Sequence, residues 1–212
     1  MNQLNLLITA GGTREPMDPV RFIGNASSGR MGYALARAAI KAGHRVTLIT
    51  APTALAPPKG AAIIAVETSG QMFEAVKAAF TACDSLIMAA AVSDYKPAAP
   101  SATKLKKQKT DLTLRLVPTR DILAWAGRHK QPGQRLCGFA LEDRNLFENA
   151  ERKRRQKKLD MIVANAPSAI GAAASTLYVK TKTDDWKTLK STAKSRSATM
   201  LIRMIEQLFD TP

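Results

Sequence analysis

The feature that most limits what this chain can become is an alternation: short apolar runs, too brief for helices, are separated by stretches with helical spacing. Residues 4–10 form an apolar run that ends at Gly11-Gly12, the pattern of a strand buried on both faces. Residues 28–42 place Met31, Leu35, Ala38 and Ala39 on one helical face, with Ser27 or Ser28 as cap and Gly43 as stop. Strands are expected at 45–50, 63–66 and 85–92. A helix is expected over 71–80, where Met72, Val76 and Phe80 recur every fourth residue. Strands joined through helices connect by right-handed crossovers, which gives a parallel sheet with helices on both faces. The expected fold class is therefore α/β: a doubly wound, mostly parallel, Rossmann-like sheet with a small irregular C-terminal extension.

The second half continues less regularly. A strand of alternating polarity is expected at 112–117, a helix at 119–128, a strand at 136–140, a helix at 145–158 and a short buried strand at 161–164. After Asn165 come a loop of small residues, a strand at 176–180 and a last helix at 193–209. The expected organisation is one domain over 1–212, with 1–165 as the α/β core and 166–212 as its less regular C-terminal part.

A chain of 212 residues buries about 70% of its unfolded surface, so its core needs no metal or disulfide staple. Cys83 and Cys137 fall in apolar segments without metal-ligand spacing and read as buried free thiols. The 32 Lys+Arg against 17 Asp+Glu give a net charge of +15. That charge asks for an anionic partner: nucleic acid, an anionic membrane surface or a small polyphosphate. No run approaches the roughly 18 apolar residues of a membrane span. The opening residues lack a basic flank and cleavage site, so a cytoplasmic address without membrane contact is expected. Two Trp, three Tyr and six Phe stock the chain poorly for stacking single-stranded bases, which makes nucleic acid a weak candidate.

Two loops exceed the usual length of about 2–6 residues. The first, from Gly11 to Ser27, follows the carboxyl end of strand one and feeds a helix N-terminus, where open α/β sheets bind ligands. Asn25, Ser27, Ser28 and Gly29 could present N–H groups and hydroxyls to an anion there, or simply cap the helix. The glycines at 11, 12, 24, 29 and 32 do not make G-x-G-x-x-G, so no NAD is expected. The second loop, 93–111, carries Lys104, Lys106, Lys107 and Lys109, point charges suited to following a phosphate or to forming a solvated surface loop. Pro97 and Pro100 argue against regular structure in it. Asp94 at its start could accept from a base or ribose, help hold a metal, or cap a turn. Further on, Lys153 and Lys157 are four residues apart in a basic helix and share one face, able to grip one polyphosphate.

The blocks Thr9-Ala10-Gly11-Gly12-Thr13-Arg14-Glu15-Pro16, Asp18-Pro19-Val20-Arg21-Phe22-Ile23 and Asn25-Ala26-Ser27-Ser28-Gly29-Arg30-Met31-Gly32 closely resemble the phosphopantothenoylcysteine synthetase family of coenzyme A biosynthesis. The resemblance continues through Ala89-Ala90-Ala91-Val92-Ser93-Asp94-Tyr95, Lys104-Leu105-Lys106-Lys107, Gly138-Phe139-Ala140 and Leu159-Asp160-Met161-Ile162-Val163-Ala164-Asn165. It implies a ligase that joins 4′-phosphopantothenate to L-cysteine through an acyl-cytidylate. CTP would be the substrate nucleotide, with Mg²⁺ bridging phosphates, no flavin, and a homodimer whose lysine loop lies near the subunit interface. By the same resemblance Asn25 and Lys104 are catalytic. Gly11, Gly12, Ser28, Ala90, Ala91, Asp94, Lys104, Phe139, Lys153 and Lys157 would bind nucleotide, and Arg21, Asn25 and Ser27 the acid substrate. No protein metal ligand is implied. The chain departs from the family's Asn-Pro-Asp-Ile, which reads Thr119-Arg120-Asp121-Ile122. A nucleotide-binding regulatory protein without turnover, and a basic nucleic-acid binder, are the competing readings.

Overall fold

The computed structural model describes residues 2–107, 109–169, 172 and 174–210. In chain order the first elements are β1 (Asn5–Ala10), β2 (Arg14–Pro16), β3 (Phe22–Gly24), α1 (Arg30–Lys41), β4 (Arg45–Thr50) and β5 (Ala61–Ala65). Next come α2 (Ser69–Ala79), β6 (Ser85–Met88), β7 (Tyr95–Pro97), β8 (Leu116–Pro118), α3 (Ile122–His129) and β9 (Arg135–Leu141). The chain closes with α4 (Leu146–Gln156), β10 (Met161–Asn165), β11 (Ala174–Thr181), β12 (Lys187–Ala193) and α5 (Lys194–Asp210).

Eight strands form one sheet in the order β12-β11-β10-β9-β6-β1-β4-β5. From β5 to β10 every pairing is parallel; β11 and β12 add antiparallel. The doubly wound expectation therefore holds. β1 sits in the middle, buried from Leu6 to Ala10, because its side chains meet helices on both faces. Leu6, Ile8 and Ala10 pack with α1 and α5. Leu7, with Leu86 and Ile49, packs with α2, α3 and α4. Strand order reverses between β1 and β6: β4 and β5 lie to one side, β9 and β10 to the other.

Several expectations need correction. The run 85–92 is a strand only to Met88; beyond it the chain leaves the sheet and bridges Gly12 to Ala91. The expected strand at 112–117 is absent from the sheet. Only Leu116–Pro118 is a strand, pairing with β7 outside the main sheet, and Leu112 and Leu116 stay exposed. Pro97 does end a regular strand: at the terminus of a two-stranded edge its missing N–H costs no ladder bond. Helix α2 begins at Ser69 rather than Gln71, since Thr68 and Gln71 form a reciprocal capping box. β12 had no sequence signal, and it carries Lys187 and Lys190 on an exposed edge, a common guard against edge-to-edge pairing.

The C-terminal part belongs to the core. Leu177 and Val179 of β11 and Ala198, Leu201, Ile202 and Ile205 of α5 join the cluster around α1. His44 ties α5 to β1: Nδ1 accepts the Leu4 N–H at 3.2 Å, so Nε2 carries the proton toward Glu206, 2.8 Å away. Asp160, buried, accepts from Leu136 N–H and pairs with Lys130 and Lys182, joining β9, β10 and the ends of α3 and β11. Burial pushes up the thiol pKa of Cys83, to about 12, and that of Cys137; both are buried and unreactive, as expected.

Leu201→Ala therefore costs about 2–5 kcal/mol of global stability in urea unfolding, the range for a fully buried leucine. A loss under about 1 kcal/mol would mean that α5 is peripheral.

Candidate functional site

A cavity of about 620 Å³ opens beside the point where the strand order reverses, lined by the carboxyl ends of β6, β9 and β10 and by the loop that enters α1. Open α/β sheets place ligands at such a switch point because the two crossovers diverge and leave a crevice. Its floor is locked by a cross-weave between two loops. Ala90 N–H donates to Thr9 Oγ1 (3.1 Å), Ala91 N–H to the Gly11 carbonyl (2.8 Å), and Thr13 N–H to the Ala91 carbonyl (3.1 Å). Ser93 N–H then donates to Thr13 Oγ1 (2.9 Å), while Thr119 Oγ1 donates to the Ser93 carbonyl (2.6 Å) and Thr119 N–H to the Asp94 carbonyl (2.8 Å). This weave fixes the exposed Asp94 side chain at the cavity rim.

Residues 25–31 line one side. Neither serine caps α1, contrary to expectation. The N-cap is Gly29, at φ +72° with no side-chain bond, and Ser27 Oγ instead accepts the Gly29 N–H at 3.4 Å. A Cβ on Gly29 would stand 3.3 Å from Gly11 N, and one on Gly11 (φ +81°) 2.7 Å from the Ala51 carbonyl oxygen. The two glycines let the loops pass each other closely. The helix thus presents a first turn with neither a side-chain cap nor an acidic residue, which leaves its positive end for an anion.

The opposite side comes from α4 and the α3 start. Lys153 and Lys157 share a face, as their spacing predicts, and both line the cavity. Lys153 Nζ donates to the Phe139 carbonyl at 2.7 Å. Burial, then the Lys157 charge, pull its pKa down against Glu142, Asp121 and Asp94. Lys157 Nζ lies 2.7 Å from Asp121 Oδ2. The rest of that basic helix is occupied elsewhere: Arg152 bonds Asn149, and Arg154 and Arg155 bond Glu151, which they hold at a pKa of about 2.

The cavity therefore brings together Asn25, Ser27, Ser28, Ala90, Ala91, Asp94, Phe139, Lys153 and Lys157. Ala91, however, has both its N–H and carbonyl engaged in the weave. Gly11 and Gly12 do not line it; they shape the loops, a Cβ on Gly12 standing 2.7 Å from the Asn25 carbonyl oxygen. Arg21 and Lys104 also lie outside. The Arg21 guanidinium is bound to both Asp18 and the Leu105 carbonyl (2.7 Å), and Leu105 N–H donates to Asp18 Oδ2 (3.1 Å). The lysine loop is thereby pinned to residues 17–21, with Lys104 exposed.

Sequence reading missed 119–123, Glu142, Ser175 and Lys194 as lining residues. The first group was legible as a strand-to-helix turn ending in an Asp N-cap. Lys194 was not, because only the return of α5 onto α1 brings it to this cavity, where burial and then the Arg30 charge lower its pKa. Among the described residues no three His, Cys, Asp or Glu side chains cluster for a metal. No helix among them is long and apolar enough to cross a membrane.

Fold and cavity define a Rossmann-like α/β domain with a cleft at its switch point, lined by Lys153, Lys157 and the uncapped start of α1. The chain belongs to the DNA/pantothenate metabolism flavoprotein C-terminal domain family, whose profile matches residues 1–209. It is 47% identical over 169 residues to the coenzyme A biosynthesis bifunctional protein CoaBC of Bacillus subtilis, covering 79% of this chain and 41% of that protein. It is 45% identical over 173 residues to a protein named cysteine/cysteine sulfinic acid decarboxylase from an unknown prokaryotic organism, covering 81% of this chain and 48% of that one. The chain thus spans less than half the length of these curated relatives. The crystal structure of the C-terminal domain of a CoaBC superposes with a TM-score of 0.86 at 35% identity, covering 100% of this chain and 98% of that one.

Asp18 anchors the lysine loop as a carboxylate. The Arg21 guanidinium first of all, outweighing burial, and the N–H groups of Val20, Arg21 and Leu105 hold it well below the usual range. The anchor is complete above the ordinary carboxylate pKa of about 4 and is lost only as pH falls through the lower folded value. Hydrogen exchange should show the Leu105 amide fully protected at about pH 5, progressively less protected as pH falls below about 4, and unprotected at both in Asp18→Asn. Unchanged protection in that variant would contradict the anchor.

Proposed function

We propose that this chain is the ligase that joins 4′-phosphopantothenate to L-cysteine, with CTP as the activating nucleotide. A free carboxylate resists amines, so the substrate carboxylate oxygen first attacks the α-phosphorus of CTP. The bond to the β-phosphate oxygen breaks and pyrophosphate leaves with the electron pair. The cysteine amine then attacks the acyl carbon of the acyl-cytidylate, CMP departs, and the ammonium proton is lost as the amide forms. The observation that carries this reading is the opposition, across one switch-point cavity, of the uncapped α1 start and the Lys153–Lys157 face, in a chain of this family.

Each part has a physical task. Lys153 is partly buried and burial is the main cause lowering its pKa, so an arriving phosphate oxygen stabilises a cation that the fold holds at a cost. The α1 start adds backbone N–H donors with no acidic competitor in its first turn. Asn25, Ser27 and Ser28 sit on the loop entering that helix, where the reacting carboxylate and α-phosphate meet. Asp94 at the rim is placed to accept from a base or ribose. With no three-residue acidic cluster among the described residues, Mg²⁺ fits as an ion carried mainly by the phosphates. Its contribution there is to neutralise phosphate charge. No flavin or NAD enters the scheme, and its setting is cytoplasmic.

The reading includes a homodimer. Arg21 and Lys104 lie outside their own protomer's cavity. The hairpins β2–β3 and β7–β8, which pack together, lie beside the exposed Val20, Phe22, Tyr95 and Leu116. A second copy seated on that apolar surface would cover it and carry a lysine loop toward the neighbouring cavity.

Mixing CTP, Mg²⁺, 4′-phosphopantothenate and cysteine should release pyrophosphate and CMP; no release with CTP or ATP would overturn the proposal. In Asn25→Asp, pyrophosphate release should persist while amide formation stalls, and equal loss of both would remove Asn25 from the second step. Tyr95→Glu should give a monomer by sedimentation with turnover reduced at least tenfold, about 1.4 kcal/mol. A fully active monomer would remove the dimer from the scheme.

A further inference from the structure

Lys157, assigned above to the polyphosphate, already holds an anion that belongs to the chain. Its Nζ lies 2.7 Å from Asp121 Oδ2. The other carboxylate oxygen, Oδ1, accepts the Ala124 N–H at 2.9 Å and caps α3, so this side chain is fixed by the helix it starts. Burial alone would raise the Asp121 pKa. The Lys157 ammonium, the cap bond and the Lys153 charge reverse that and hold it below its ordinary value. Lys153, by contrast, rests on a neutral acceptor, the Phe139 carbonyl. Of the two lysines on the shared face, one is neutralised by a carboxylate and the other is not.

We propose that Asp121 is a built-in counter-ion: it holds Lys157 in the empty site, yields it to the incoming polyphosphate, and takes it back as pyrophosphate leaves. This rests on the polyphosphate reading of the Lys153–Lys157 face and names what limits the affinity of that face. Exchanging one oxyanion for another keeps Lys157 paired at both ends of the cycle. Binding must nevertheless break a short ion pair and then tolerate a carboxylate that its cap bond keeps nearby. The pair is half-exposed on the Asp121 side, so an anion can approach it directly. Asp121 is thus a positioning residue that weakens ground-state binding and favours product release.

Asp121→Asn retains the oxygen that caps α3 and removes only the charge. Titration calorimetry of the whole chain with inorganic triphosphate should show roughly three- to tenfold tighter binding in Asp121→Asn than in wild type, the scale of one partly exposed ion pair and one like-charge contact. A merely structural role predicts the opposite sign. The gain should vanish when Lys157→Met is also present, because the two residues act as a pair. Asp184→Asn, which removes a carboxylate paired with Lys187 away from the cavity, should change affinity less than twofold. Equal or weaker binding in Asp121→Asn, a gain that survives Lys157→Met, or an equal gain from Asp184→Asn would each overturn the counter-ion. If Lys157→Met alone leaves triphosphate binding unchanged, the polyphosphate reading of this face falls with it. Should Asp121→Asn fail to fold, Asp121→Ser, which also caps, carries the same expectations.

Discussion

The parting of the sheet between β1 and β6 is the constraint on which the rest depends. β1 is buried on both faces, so it can lie only in the middle of the sheet, with one crossover leaving toward β4 and the later strands building away on the other side. A crevice at the ends of these two strands follows from that geometry. The chain then stiffens it. Thr9 at the end of β1 and Gly11 and Thr13 on the loop after it are hydrogen-bonded to Ala90, Ala91 and Ser93, so the cavity floor is held by backbone groups and two threonine hydroxyls. Side chains at the rim can exchange partners without disturbing that floor.

Electrostatics at the cavity are arranged by pairing more than by abundance. A net charge of +15 suggests a diffuse basic surface, yet Arg154 and Arg155 are committed to Glu151, Arg21 to Asp18 and Lys130 to Asp160. Lys153 is the informative cation because it is partly buried and bound to a neutral carbonyl. Lys157 is balanced by Asp121, and the lysine loop is pinned by a carboxylate kept ionised by Arg21. Charge is thus held ready on internal partners, and these partners set how strongly an external anion can compete.

Much of this was legible in order along the chain. The burial of β1, the helix after the first long loop, and the common face of Lys153 and Lys157 all follow from local periodicity, because strand and helix repeats fix which residues share a side. The blocks around Asn25, Asp94 and Phe139 lie at the ends of strands, and such ends meet at the cavity. The expectation that Ser27 or Ser28 caps α1 failed for a local reason: close passage of the Gly11 loop leaves room only for Gly29 in a left-handed conformation. The strand at 112–117 failed because alternating polarity marks an extended segment and says nothing about whether a sheet edge is available to it.

What the sequence by itself determined was the class of fold, the central strand and the residue types that could meet an anion, since each depends on neighbours within a few residues. Tertiary structure alone decided the pairing of those residues. It tied Lys157 to Asp121 and Lys153 to the Phe139 carbonyl, and it returned α5 so that Lys194 reaches the cavity. It also left Arg21 and Lys104 outside. The physical reason is range. Periodicity and capping act over one or two turns, whereas ion pairs and desolvation depend on which distant segments the sheet order brings within a few ångströms.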